Sequence, residues 1–299
     1  MISYSIFDPT GNITALVETA VPVKDQPSVA AGIMQQCPAV EQVGFVQCSS
    51  SDPRISRLTL RMAGGEFCGN ASMSAAALFL LNQLDFGSLP ASRALRTSED
   101  GGETAEDGGE TEFFRVFLSV SGASRPVEVR LKPLSRDSFQ ASVLMPPARR
   151  IEKKEFSFQG ATDRLPVVFM EGITHILIEP SSCFYALKEQ KQNAALAVRT
   201  WCRLLAAEGL GLMFLDKDGA APSLTPLVYI PGSETEFWEN SCASGSSAAG
   251  MYLAEQEGRE IHLRLQEPGG ILSVDCDPHL GQTWLGGRVA RTGRGSLEH

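Results

Sequence analysis

Two cysteines stand at the head of nearly the same string. Cys68 opens CGNASMSAAALFL and Cys242 opens CASGSSAAGMYL, 174 positions further on. Each is followed by a small residue, a short polar one and another small one. Ser72 and Ser246 fall at the same offset, as do Ala75 and Ala249. The recurrence reads as an internal duplication, or as one local solution used twice. The first turn of a helix carries unpaired N–H groups and a partial positive charge. The small side chains of Gly69, Ala71, Ala243 and Gly245 let a ligand come close to those groups. A cysteine at a helix start is expected to have its thiol pKa lowered below the free value of about 8.5.

Two such termini facing one another would hold a carboxylate in the backbone N–H groups of Gly69, Asn70, Ala243 and Ser244, with a sulfur on each side. That arrangement suits inversion of an amino-acid α-carbon without a cofactor. One thiolate removes the α-proton and the opposite thiol returns a proton to the other face. The developing carbanion is stabilised by aimed donors. The plainer alternative is close helix packing around inert buried thiols, with Asn70 and Ser244 as ordinary caps. The double occurrence favours the chemistry.

The elements that must position these residues are mostly strands. Ile2–Phe7 and Ile13–Thr19 are joined by the turn Asp8-Pro9-Thr10-Gly11, and a helix is expected over Pro27–Gln36. Val43–Cys48 and Ile55–Met62 read as strands, followed by a helix from Gly69 to about Leu84 with Met73, Ala76, Ala77, Leu80 and Leu81 on one face. Further strands are expected at Glu112–Val120, Val127–Leu131, Phe139–Met145, Pro166–Met170 and Ile173–Ile178. Lys191–Glu208 is a helix closed by Gly209. Leu212–Leu215, Pro226–Ile230 and Glu236–Trp238 precede a helix that starts at Cys242 and ends near Gly258. Ile261–Leu265, Ile271–Val274 and Thr283–Val289 complete the set. Many strands with one small-residue helix per half predict an α+β protein rather than an alternating βαβ sheet.

At 299 residues the chain is long enough for two domains, expected at 1–123 and 124–282. Its longest apolar run, Ala75–Leu81, is too short to span a bilayer, and MISYSIFDPT has no features of a secretory signal; a cytoplasmic location follows as the expectation. A net charge of −9 argues against nucleic-acid or anionic-membrane partners. Seven acids lie together between Glu99 and Glu112, and without them the charge is −2. The tandem EDGGETA and EDGGET within 97–111 reads as a solvated excursion between strands, since its spacing does not match an EF-hand. Seven cysteines with no C-x-x-C pair suggest reduced thiols, and Cys37, Cys48, Cys183, Cys202 and Cys276 are read as structural. His262 and His279 have no partner at metal-ligand spacing, so no catalytic metal is expected. Leu297-Glu298-His299 is read as a tag remnant.

At its two cysteine motifs the sequence resembles the diaminopimelate epimerase superfamily, whose pattern is Cys-Gly-Asn-Gly in one half and Cys-Gly-Thr-Gly in the other. Here these are Cys68-Gly69-Asn70-Ala71 and Cys242-Ala243-Ser244-Gly245. Gly11-Asn12 resembles the family's early Gly-Asn, and Gly172-Ile173-Thr174-His175 stands in place of its Gly-Asn-Pro-His. Ile173 replaces an asparagine, Tyr229-Ile230-Pro231 stands near the place of a Glu-Arg pair, and no arginine lies between Arg203 and Arg259. A distal carboxylate would therefore lack its cation, and diaminopimelate is disfavoured. Within the superfamily the sequence is more similar to the histidine racemases of staphylopine-type metallophore biosynthesis. The strings that carry this are Glu41-Gln42-Val43-Gly44-Phe45, Glu66-Phe67-Cys68-Gly69-Asn70-Ala71, Tyr229-Ile230-Pro231, Trp238-Glu239-Asn240-Ser241-Cys242 and Pro268-Gly269-Gly270.

The resemblance implies two pseudo-symmetric halves, each a curled, mostly antiparallel sheet or barrel around a central helix, with the site in the cleft between. A C-terminal strand at 283–293 would return to the first half. It further implies a racemase that uses no cofactor, with Cys68 and Cys242 as the acid–base pair and an amino acid as partner, a homodimer being left open. Asn12 is expected to fix the substrate or close the cleft, the alternative being a turn asparagine, and Glu41 to accept an imidazole N–H from its side chain, the alternative being a surface acid at a helix end. His175 is expected to line the pocket or to be a satisfied core residue, and Glu239 to orient the Cys242 loop or to be a solvated acid. Two competing readings remain: a phenazine-type isomerase, whose relatives do not use the cysteine pair, and a catalytically silent amino-acid binding protein.

Overall fold

The computed structural model describes residues 1–48, 58–85, 113–218, 221–232 and 234–298. The acidic stretch 97–111 and the first residues of the strand expected at Ile55–Met62 lie outside them. In chain order the elements are β1 (Ile2–Pro9), β2 (Thr14–Val17), α1 (Gln26–Gln36), β3 (Gln42–Cys48), β4 (Leu58–Met62), α2 (Gly69–Asp85), β5 (Phe114–Val120), β6 (Val127–Ser135) and β7 (Ser138–Leu144). There follow β8 (Arg150–Phe158), β9 (Ala161–Phe169), β10 (Thr174–Ile178), α3 (Lys191–Leu205), β11 (Leu210–Asp216), β12 (Ser223–Ile230) and β13 (Thr235–Trp238). The last are α4 (Ala243–Glu257), β14 (Ile261–Glu267), β15 (Gly270–Asp277) and β16 (Gln282–Leu297).

Strands β1 to β7 pair in sequence order, and β16 bonds both β7 and β1, closing an eight-stranded barrel. Helix α2 fills it, touching β1, β2, β4, β5, β6, β7 and β16. The expected single apolar face is too narrow a description: Ala71, Met73, Ala75, Ala76, Ala77, Leu78, Leu80 and Leu81 are all buried, and so are Ser72 and Ser74. A helix surrounded by sheet has no wet side. Its serines return their hydroxyls to the preceding turn, Ser72 to the Cys68 carbonyl at 2.7 Å and Ser74 to that of Asn70 at 3.0 Å.

The same sheet runs on from β16 through β15, β14, β12, β11, β10 and β9 to β8, with β13 attached to β12. It curls around α4, which touches β9, β10, β11, β14, β15 and β16. This helix is buried from Ala243 through Ala254, with only Ser244 part-exposed. The result is the mixed α+β architecture of curled, mostly antiparallel sheets, each around one helix.

Three details differ from expectation. β8 has no counterpart among the expected strands. It is an edge strand paired only with β9, and of its residues only Phe156 is buried, so no alternation of apolar and polar residues marks it. α3 stops at Leu205 rather than running to Glu208 and Gly209. Ala206 takes the left-handed conformation at φ 50° and donates its N–H to the carbonyls of Arg203 and Cys202. Strand pairing continues through Leu297, opposite Ile2, one residue into the segment read as a tag. Among the described residues no helix is long and apolar enough to cross a membrane.

Candidate active site

The two cysteine motifs start the two central helices and meet. Cys242 caps α4 in an extended conformation, and its Sγ accepts the Gly245 N–H at 3.4 Å. Cys68 does the same for α2, accepting the Ala71 N–H at 3.3 Å. A methyl added at Gly69 would lie 2.9 Å from the Ala243 Cβ, so the first residues of the two helices touch. Asn70 ties them, its Nδ2 donating to the Ser241 carbonyl at 3.3 Å and hydroxyl at 3.2 Å. Nearby, Gly11 at φ +95° lies so close to Gly269 that a Cβ on it would collide with the Gly269 Cα, an approach only glycine permits.

A cavity of about 70 Å³ opens at this meeting point. Of the residues expected at the site, Asn12, Cys68, Gly69, Asn70, Glu239, Cys242, Ala243 and Ser244 form its wall. Ala71 and Gly245 do not; their N–H groups are turned to the two sulfurs. Glu41 is also off the wall, and its carboxylate is occupied by amide N–H groups from Asn12 at 3.2 Å and from Asn240. It holds Asn12 rather than presenting itself to a ligand. His175 is fully buried one layer back, with Nε2 3.0 Å from the Ser244 hydroxyl, and burial drives its pKa down to about 3, which keeps the ring neutral.

Residue-by-residue reading of the sequence missed several groups. Gln42 accepts the Cys68 S–H at 3.1 Å, and Glu66, Glu171 and Ser241 also form the wall. Glu267 lies buried behind Cys242, accepting its N–H at 2.7 Å and the Ser246 hydroxyl. Gln42 and Glu66 sit inside strings already singled out, and Glu267 immediately precedes one, but none is a residue type that announces a role.

The charge state also differs from expectation. Burial pushes the Cys68 thiol up to about 12 and Cys242 well above its ordinary value. Each sulfur receives one N–H from its helix start, whereas the thiolate would lose its water and face carboxylates: Glu66 and Glu239 around Cys68, Glu239 and Glu267 around Cys242. Desolvation outweighs the helix terminus. The same burial raises Glu239 to about 7 and Glu267 to about 8. The carbonyl oxygens Asn12 Oδ1 and Asn70 Oδ1 are buried and have no hydrogen-bond partner among the described residues.

The family model described as the histidine racemase CntK N-terminal domain matches residues 1–283. The chain belongs to this family. Its curated relatives include a histidine racemase from Fusobacterium nucleatum subsp. nucleatum, 29% identical over 278 residues, covering 91% of this chain and 88% of the relative. A histidine racemase from Staphylococcus aureus is 26% identical over 305 residues, covering 100% and 98%. Among solved structures, a protein described as a predicted epimerase from Pseudomonas aeruginosa superposes with a TM-score of 0.63 at 16% identity over the whole of both chains, a likeness of fold. As a member of the CntK family the chain is an isomerase of the amino-acid racemase kind, and the superfamily resemblance is borne out.

Proposed function

We propose that this chain racemises histidine by a two-cysteine proton transfer that needs no cofactor. The observation that carries the reading is the contact of two cysteine-capped helix starts at Gly69 and Ala243 beside one cavity. The substrate carboxylate would sit on the N–H groups there. Its ammonium group would donate to Asn12 Oδ1 and Asn70 Oδ1, acceptors that otherwise have no donor among the described residues. One sulfur, as thiolate, takes the α-proton; the electron pair left on Cα delocalises into the carboxylate; the opposite S–H donates to the other face. After each turnover the two sulfurs have exchanged roles, which leaves the form that takes the product enantiomer; proton exchange with water restores the form that takes the starting one.

The raised thiol pKa values support a site that is uncharged at sulfur until an ammonium arrives. A bound cation favours the thiolate, and Glu239, close to Cys242 and with a pKa near 7, is a nearby acceptor for the displaced proton. Histidine is taken from the activity of the relatives, and a place in metallophore assembly from the resemblance of the sequence strings.

The test is incubation with L-histidine in D₂O. The expected result is loss of the α-proton resonance together with appearance of D-histidine on chiral chromatography. Absence of both across a panel of amino acids would overturn the racemase reading, and stabilisation by both enantiomers without exchange would indicate a binding protein.

A further inference from the structure

The cavity at the two cysteines is not isolated. A second, larger cleft of about 930 Å³ adjoins it, and five residues belong to the walls of both: Glu66, Glu171, Gly172, Ile173 and Ile230. They form a throat. The inner cavity, at about 70 Å³, has room for little more than the reacting end of a substrate. A side chain on the reacting carbon must therefore enter the throat.

The throat's chemistry is specific. Ile173 and Ile230 offer apolar surface, which suits the faces of a flat ring. Glu66 and Glu171 offer carboxylates, which suit N–H groups on its edge. Their situations differ. Glu171 accepts the Ser124 N–H at 3.3 Å and lies 3.7 Å from the Arg149 guanidinium, so its charge is already answered. Glu66, two residues before Cys68, is less fully answered: burial raises its pKa, outweighing its own backbone N–H, the field of Arg61, whose Nε is already given to Gln26 at 3.1 Å, and the Gly64 N–H. No lysine or arginine belongs to the inner wall among the described residues, while Glu66, Glu171 and Glu239 all do.

We propose that Glu66 is the specificity-determining residue, accepting a side-chain N–H of the substrate in the throat, so that the site selects amino acids with a basic, N–H-bearing side chain. This rests on the reading of the chain as an amino-acid racemase. It displaces Glu41, whose carboxylate is taken up by the side-chain amides of Asn12 and Asn240.

The experiment compares the intact protein with Glu66→Gln and Glu66→Asp, using L-histidine, L-phenylalanine and L-glutamate as probes. Two readouts are taken: α-proton exchange in D₂O and thermal stabilisation by each amino acid. Losing one charged hydrogen bond predicts a fall of about 10- to 100-fold in kcat/KM for histidine in E66Q, carried mainly by KM, with partial recovery in E66D. The unsubstituted protein should exchange and be stabilised by histidine at least about tenfold more effectively than by phenylalanine or glutamate, a comparison that stands even if a variant fails to fold. Equal response to histidine and phenylalanine, or an E66Q protein within about twofold for histidine, overturns the inference while leaving racemisation intact. Exchange of no amino acid overturns the racemase reading instead, and the stabilisation series then still decides whether Glu66 selects the side chain.

Discussion

The two cysteine–helix units share a backbone and differ in what surrounds the sulfur. In both, the thiol caps its own helix by accepting the N–H three residues on. Around Cys68, the less buried of the two, the hydrogen-bond partner is a neutral amide, Gln42, although Glu66 and Glu239 also bear on it. Around Cys242, which is 4% exposed, stand the carboxylates of Glu239 and Glu267 and the hydroxyl of Ser244, braced by His175. The small residues alternate too: glycine then alanine after Cys68, alanine then glycine after Cys242, so that one methyl rather than two occupies the contact at Gly69 and Ala243. A duplicated motif thus places two sulfurs equivalently without giving them equal surroundings. Cys242 is the more buried of the two, and Glu239 is hydrogen-bonded to it.

The largest expected effect tests what the halves have in common. Cys68→Ala and Cys242→Ala should each lower racemisation by about 10²- to 10⁴-fold, read by chiral chromatography. A variant that still exchanges the substrate's α-proton without inverting the carbon would expose which sulfur serves which face. Next comes the contrast in support. Glu267→Ala strands two buried donors, the Cys242 N–H and the Ser246 hydroxyl, and should cost about 2–5 kcal/mol in denaturant unfolding, whereas Gln42→Ala should cost about 1 kcal/mol. Equal losses would erase the difference between the two halves.

The shared methyl gives a third test. Gly69→Ala sets a Cβ 2.9 Å from that of Ala243 and 3.0 Å from the Met145 sulfur, and should destabilise by about 1–3 kcal/mol. Adding Ala243→Gly should recover much of that loss, because one methyl again fills the contact; no recovery would mean that Met145 is the obstacle. The last test is in pH. The Glu267 proton is held more tightly in the folded chain, at about 8, than at its ordinary 4.5. Its stabilising contribution is therefore complete below pH 4.5 and lost as pH rises through 8. Tm should fall by on the order of 5 °C between about pH 5 and pH 9, and Glu267→Gln, with no proton to lose, should flatten the slope.

The meeting of Cys68 and Cys242 at one cavity is legible in the sequence because the same cysteine-and-small-residue string occurs twice, and its repetition marks both helices. Most strands are legible from runs of branched and apolar residues. β8 is not, since an edge strand that buries a single residue can be written in charged residues such as Lys153, Lys154 and Glu155. Glu41 and His175 are recognisable as neighbours of the site, yet both stand one layer further from the cavity than expected. Sequence adjacency brings a residue to a region, and only the packing of β3 and β10 decides which side chain reaches the cavity. The expected thiol shift has the wrong sign for a related reason: a helix start can be read from a sequence, but the amount of water excluded from it cannot.

β16 carries a consequence for how the chain is made. It sets Gln282 opposite Asp277 in β15, Val289 opposite Phe139 in β7 and Leu297 opposite Ile2 in β1, so one continuous strand serves both helices' enclosures. A ribosome delivers β1 first and its partner at the far end of the chain. Until then the first barrel has an open seam alongside α2, and the most non-local pairing in the molecule is the one that seals it. The first barrel therefore closes only when its partner strand from the far side of α4 is in place, and the enclosure of Cys68 is completed by residues made long after it.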